Sequence, residues 1–449
     1  MTGSVVRGPR AWVARVPRRL AVGVLVVVLV AVGAGAWWVQ RPYASDLGDT
    51  AGRSAGTVSP GLAARALAQL RTALVDGDRG TARALAPSDD PAAADLLEAV
   101  VDNVEALRVD DLGLRYVDEV PAAEGTPAGR WPAAVELTWR FEGLDPGRSS
   151  VETVVGFARD ADRVAVTGFG PAAGAATGEA PFGGSGASTS AGTRTPVWLS
   201  GPVEVRRGPG VLVLAASEVA GELDRYAALA DAAVPAVAAD VPDWDRRLVV
   251  EVPRDGAALA AAVGSDEGSV AAAAAITAAV DGSPGAEAGG VHVFVNPAVL
   301  DPLGARGAQL VMSHEAVHVA TRAPGSPAPT WLVEGYADYV ALQGAGIDEQ
   351  RAAAQVAERV REDGAPATLP TPADFDLNGT HAGATYEAAW LACVLLAERA
   401  GPDGLRRVYE RADAGEPLPS ALAGATDLDV AALTRLWQER LRAVARRAS

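Results

Sequence analysis

Residues 171–195 constrain this chain more than any other feature, because nearly all of them are Gly, Ala, Ser, Thr or Pro. A stretch of that composition buries too little apolar surface to offset the entropy lost in ordering it, so it reads as a flexible linker. Folding must then happen on either side, in an N-terminal part and in a C-terminal part that begins near residue 196. With 449 residues, 49% of them hydrophobic, both parts have enough apolar material for a core.

Leu20 to Val39 is an apolar run of 20 residues without a charge. As a helix at ~1.5 Å per residue it would span about 30 Å, the thickness of a bilayer's hydrocarbon core. Arg7, Arg10, Arg15, Arg18 and Arg19 precede it, with no acidic residue among them. The positive-inside rule puts this basic tail, residues 1–19, in the cytoplasm and everything after residue 40 outside the cell membrane. Trp37 and Trp38 fall where an interfacial aromatic belt belongs. A cleaved signal peptide, with Ala34-Gly35-Ala36 as its cleavage site, is the competing reading, and it exports the rest of the chain as well. Residues 40–59 then form a tether.

All the basic residues are arginine, and the formal net charge is −17. A phosphate-binding surface needs clustered positive charge, so nucleic acid is excluded as a partner. The single cysteine, Cys393, cannot form an intrachain disulfide and sits in the apolar pattern Trp390-Leu391-Ala392-Cys393-Val394-Leu395, as a small core residue does.

Apolar residues at helical spacing predict helices over Gly61–Val75 and Pro91–Leu107. Strand-like alternation follows at Leu112–Val120, Ala134–Phe141, Val151–Ala158 and Arg163–Phe169. Helices followed by an antiparallel set of strands make residues 60–170 a small α+β domain. It is similar to the cone-shaped domains of the ketosteroid-isomerase-like superfamily, which implies a spacer or binding module. Beyond the linker, strands are expected at Gly210–Ala215, Arg247–Val252 and Val291–Val295, with a helix near Val219–Ala239. After residue 303 the pattern is almost entirely helical. His292, alternating with valines, reads as a core or surface histidine.

Residues 310–318 read Leu-Val-Met-Ser-His-Glu-Ala-Val-His, within an apolar helix expected over Ala305–Thr321. Spacing of i, i+4 stacks the imidazoles of His314 and His318 on one helix face, where they supply two neutral nitrogen ligands to one Zn2+. Glu315, beside the first ligand, can accept a proton from the water that such a metal activates. With only four histidines in the chain, chance matches to H-E-x-x-H number on the order of 0.002 for this composition. A catalytic zinc needs a third protein ligand. Glu334 lies on a second helix, expected to start at Trp331 with Thr330 as its cap and to turn back against the first.

His314-Glu315-x-x-His318 together with Trp331-Leu332-x-Glu334-Gly335-x-Ala337-x-Tyr339 resembles the gluzincin metallopeptidases, in particular the peptidase MA-like group related to thermolysin. The resemblance covers about residues 196–449. It implies Glu334 as the third zinc ligand and Asp338 as the carboxylate that hydrogen-bonds a ligand histidine. It also implies an edge strand at Val291–Val295 that holds an extended substrate, and an oxyanion donor at Tyr386, with His381 as the competitor. The implied function is a membrane-anchored, extracytoplasmic, zinc-dependent peptidase acting on a peptide or protein. The alternative is a non-catalytic envelope protein that uses a metallopeptidase-like domain to bind a partner; a retained Glu315 weighs against it.

Overall fold

The computed structural model describes residues 59–447 except 124, 171–192, 284–288, 344, 377–378 and 380. The expected basic tail, apolar span and tether lie outside the described residues. Among the described residues no helix is long and apolar enough to cross a membrane. The architecture is mixed, helical and stranded, consistent with the α+β class.

The N-terminal part opens with α1 (Pro60–Asp76), α2 (Arg79–Ala84) and α3 (Pro91–Leu107). Pro60 and Pro91 each sit at a helix start, where the missing N–H is not needed, and Asp90 caps α3 through Ala93 N–H. Four antiparallel strands follow in chain order: β1 (Val109–Glu119), β2 (Arg130–Phe141), β3 (Ser149–Asp160) and β4 (Arg163–Phe169). The long period-2 pattern of β2 buries Trp131, Ala133, Val135, Leu137, Trp139 and Phe141, one face of the sheet packed on the helices.

The C-terminal part is built on a five-stranded sheet of order β5-β6-β7-β9-β8. Its members are β5 (Val203–Arg207), β6 (Val211–Ala216), β7 (Leu248–Val252), β8 (Ala275–Ala279) and β9 (Val291–Val295). Strands β6, β7 and β9 run parallel, with β5 and β8 antiparallel at the two edges. Val291–Val295 is therefore not the edge strand that the resemblance implies; it lies between β7 and β8. The edge on that side is β8, whose alanine-rich run carries little strand propensity apart from Ile276 and Thr277, and it is buried along its length.

The central strands are buried on both faces, as parallel strands usually are. Val211, Val213, Val250, Val252, Val293 and Val295 pack against α4 (Leu223–Asp240) and the helices that follow. Leu212, Leu214, Val249, Ile276 and Phe294 face the other way, into a core shared with α5 (Gly256–Val263) and with the N-terminal part. The two parts thus dock through a common apolar core. Asn103 of α3 fixes the seam, donating to the carbonyls of Trp198 and Gly201 (both 2.8 Å) and accepting from Val203 N–H. The linker expected to run to residue 195 ends earlier: Arg194 N–H donates to Glu152 O, Thr195 N–H to Ala261 O, and the Arg194 guanidinium to Ala279 O at the end of β8.

Short helices α6 (Glu267–Val270) and α7 (Pro297–Leu300) lead into the helical half. It comprises α8 (Gly304–Thr321), α9 (Thr330–Leu342), α10 (Glu349–Ala352), α11 (Ala354–Asp363), α12 (Ala382–Ala400), α13 (Pro402–Asp413), α14 (Leu418–Ala423) and α15 (Val430–Arg447). Helix α8 is buried from Gly307 to Val319 except at the half-buried Gln309, between the sheet on one side and α4 and α9 on the other. Helix α9 starts one residue before the expected position. Pro329 takes the cap, so Thr330 is the first helical residue and makes no capping bond. Helix α12 is packed against α9, and Trp437 of α15 donates to Ala388 O to hold it there.

Candidate metal centre

His314 and His318 project from one face of α8, and α9 returns Glu334 against them. Their Nε2 atoms lie 2.9 Å apart, and Glu334 Oε2 stands 3.3 Å from the first and 3.4 Å from the second. A tetrahedral zinc with bonds of ~2.0–2.2 Å sets neighbouring ligand atoms about 3.3–3.5 Å apart. The triangle therefore has the size of one face of such a site, slightly contracted along the His–His edge.

Three further observations test whether the residues suit a metal. Glu334 Oε2 is buried without a hydrogen-bond partner among the described residues, its separations from the two rings being long for charge-assisted bonds. Asp338 Oδ1 accepts from His314 Nδ1 at 2.8 Å, which in the neutral ring leaves the lone pair on Nε2, the atom that faces His318 and Glu334. Glu315, Glu334 and Asp338 also place three carboxylates in one buried cluster, a density of negative charge that two imidazoles alone balance poorly and a divalent cation balances well. This His-His-Glu group can hold a metal ion.

The electrostatics have the same sense. Burial opposes charge on His314, but Asp338 and Glu334 outweigh it and raise the imidazole to about 10. Burial likewise pushes the Glu334 carboxyl up, and the two imidazoles outweigh it and bring it down to about 2. Glu315 differs: burial dominates over the neighbouring imidazoles and Thr277, so its carboxyl titrates above the ordinary range. Its Oε2 accepts from the Thr277 hydroxyl at 2.6 Å, and its Oε1 has no partner among the described residues.

Local sequence explains the placement. Arg322 adopts a left-handed conformation (φ 53°) that ends α8 directly after the turn that carries His318, with Ala323 N–H returning to His318 O. Gly335, next to Glu334, lets α9 approach α12 closely: a Cβ there would stand 2.5 Å from Ala389 O and 2.8 Å from Cys393 Sγ. Cys393 is a buried packing residue, and burial pushes its thiol well up.

Tyr386 lies in the second turn of α12, its ring centroid 6.5 Å from that of His314 and edge-on to Phe375 at 5.0 Å. His381, at the start of the same helix, is exposed, and its ring makes no hydrogen bond among the described residues. The residues that sequence reasoning passed over are Thr277 and His292. Thr277 sits in an alanine run with nothing local to mark it. His292, read as a core or surface histidine, is buried between Glu251 of β7 (2.7 Å) and Asp145 of the N-terminal part (2.8 Å), with Phe141 stacked on its ring. Comparison of the chain with known protein families, with characterised proteins and with solved structures finds no match.

Proposed function

We propose that this chain is a zinc-dependent peptidase of the gluzincin type, exported and held at the membrane by its apolar segment Leu20–Val39. The observation that carries the reading is the convergence of His314, His318 and Glu334 beside a buried Glu315 whose Oε1 is free to accept a proton. The chemistry that zinc supplies in such a site is acidification of a water molecule and polarisation of a carbonyl.

The chain's own residues do the rest. Glu315 takes the proton from the attacking water at Oε1 and passes it to the leaving amine. Asp338 orients His314. Tyr386, beside His314, is the donor for the developing oxyanion. In this reading residues 60–170 are a ketosteroid-isomerase-like module, a description supported by the order of helices and antiparallel strands.

One observation favours a second reading. His314 and Glu315 are 0% exposed and His318 and Glu334 1%, a degree of enclosure that suits a structural metal site in a non-catalytic envelope protein. Glu315 distinguishes the two, because a structural site has no use for a carboxylate that ligates nothing.

The test is zinc stoichiometry on the full chain in detergent, beside His318→Ala, Glu334→Ala and Glu315→Ala. About one zinc per chain in the wild type and in Glu315→Ala, lost in both ligand variants, establishes the three-ligand site. Hydrolysis of quenched fluorescent casein by the wild type and not by Glu315→Ala establishes the peptidase. A folded wild type that takes up no zinc refutes both readings. Zinc uptake without hydrolysis of casein or of a random peptide library leaves the structural one.

A further inference from the structure

The geometry points to Thr277 as the positioning residue for Glu315, an inference that rests on the peptidase reading above. Thr277 is on the edge strand β8 and fully buried, and its Oγ1 lies 2.6 Å from Glu315 Oε2. A second acceptor, the Glu315 main-chain oxygen, is 3.2 Å away. A hydroxyl carries one hydrogen and can satisfy only one of them. The shorter distance is that of an O–H···O⁻ bond, the stronger type, so the carboxylate takes the proton donor.

The consequence is an asymmetric carboxylate. Oε2 is held by a neutral donor that leaves the charge in place, while Oε1 is buried and without a partner. A general base needs this arrangement: one oxygen fixed to the protein, the other kept free for the proton it will accept. A lysine or arginine in the same place would pair with the charge and quench the base; a valine would leave the side chain free to rotate about its last two torsions.

Thr277 reaches Glu315 because of the strand on which it sits. Side chains alternate along β8, so Ala275 and Thr277 face α8 while Ile276 and Ala278 face the core shared with the N-terminal part. Thr277 pairs in register with Val293 of β9, and Arg194 holds the carbonyl of Ala279 two residues on. The donor is thereby mounted on a strand, not a loop, and its position relative to α8 is fixed by packing.

The experiment compares Thr277→Val, which removes the hydroxyl at nearly constant shape, with Thr277→Ser, which keeps it, in the zinc-loaded full chain. Thr277→Val is expected to lower kcat on quenched fluorescent casein by about 10- to 100-fold, the scale of a misplaced catalytic group. KM stays within about twofold and zinc stoichiometry is unchanged, and Thr277→Ser restores most of kcat. A second readout needs no activity: the shift of the urea midpoint caused by Thr277→Val is smaller in a Glu315→Ala background than in the wild type, because the partner has gone. Equal kcat in Thr277→Val and wild type, or additive midpoint shifts, overturns this role and leaves the peptidase reading standing. A wild type that hydrolyses nothing overturns the peptidase reading, and this role falls with it.

Discussion

Replacing Gly335 by alanine sets two known effects of opposite sign against each other at the helix pair that carries Glu334. Within a helix, alanine is favoured over glycine by about 0.8–1 kcal/mol, so at an open position Gly335→Ala would stabilise. The position is not open. The added methyl would stand 2.5 Å from Ala389 O, 2.7 Å from Ala389 C and 2.8 Å from Cys393 Sγ. The closest of these is about 1 Å inside the ~3.5 Å at which such atoms pack best. Two of the three obstacles are backbone atoms of α12, which is itself held by the Trp437 bond to Ala388 O and cannot yield as a flexible side chain would.

Overpacking of a rigid core typically costs about 1–3 kcal/mol, which offsets the helix-propensity gain and leaves a net destabilisation of up to about 2 kcal/mol. Relief must come from separating α9 from α12. Glu334, one residue away, then shifts by several tenths of an ångström, a displacement that functional sites tolerate poorly. Urea unfolding of the metal-free protein should show the lower midpoint, and competition with a chelator should show weaker zinc binding. Truncating Cys393 to alanine in the same chain relieves only the sulfur contact and should recover a minor part of the loss. A Gly335→Ala protein as stable as wild type, with unchanged zinc affinity, would refute the reasoning.

Two further outcomes follow from the buried charges. Asp338→Ala should weaken zinc binding by about 10- to 100-fold, measured by the same competition, because the His314 ring loses the acceptor that orients it. At the seam, burial opposes charge on His292, but Asp145 and Glu251 outweigh it and raise the imidazole to about 9. Its unfolded value is ~6.5, so the folded protein binds the extra proton between the two, and that stabilisation is complete below about 6.5 and lost as pH rises through about 9. Urea midpoints from pH 6 to 10 should fall over this window in the wild type and much less in His292→Asn; parallel profiles would show that the ion pair contributes nothing.

Local periodicity explains which parts were legible. The spacing of His314 and His318 fixes their common face through the 3.6-residue repeat alone, and the apolar neighbours from Leu310 to Val319 announce the burial of α8. Helix α3 and strand β4 lie at the expected residues, because caps and alternation are short-range signals. Strand β8 was not legible. Five residues, three of them alanine, carry no period, and what makes them a strand is the antiparallel pairing offered by β9. The role of His292 was hidden for the same reason: its partners are 41 and 147 residues away in the chain.

These non-local features are linked, and the link bears on the candidate site. A strand register that slips by one residue turns every side chain to the opposite face. On β8 such a slip would remove Thr277 from Glu315 and present Ile276 or Ala278 in its place. The pairing that prevents it sets Ala278 opposite His292 and Thr277 opposite Val293, so the register of β8 is only as secure as that of β9. Strand β9 is pinned by the two carboxylates on His292, one from β7 and one from the N-terminal part, and β8 by Arg194, whose own backbone N–H donates to Glu152 of β3. Both pins cross the seam between the two parts. The N-terminal part therefore helps to hold the strand that carries the donor to Glu315, which is more than a spacer would do.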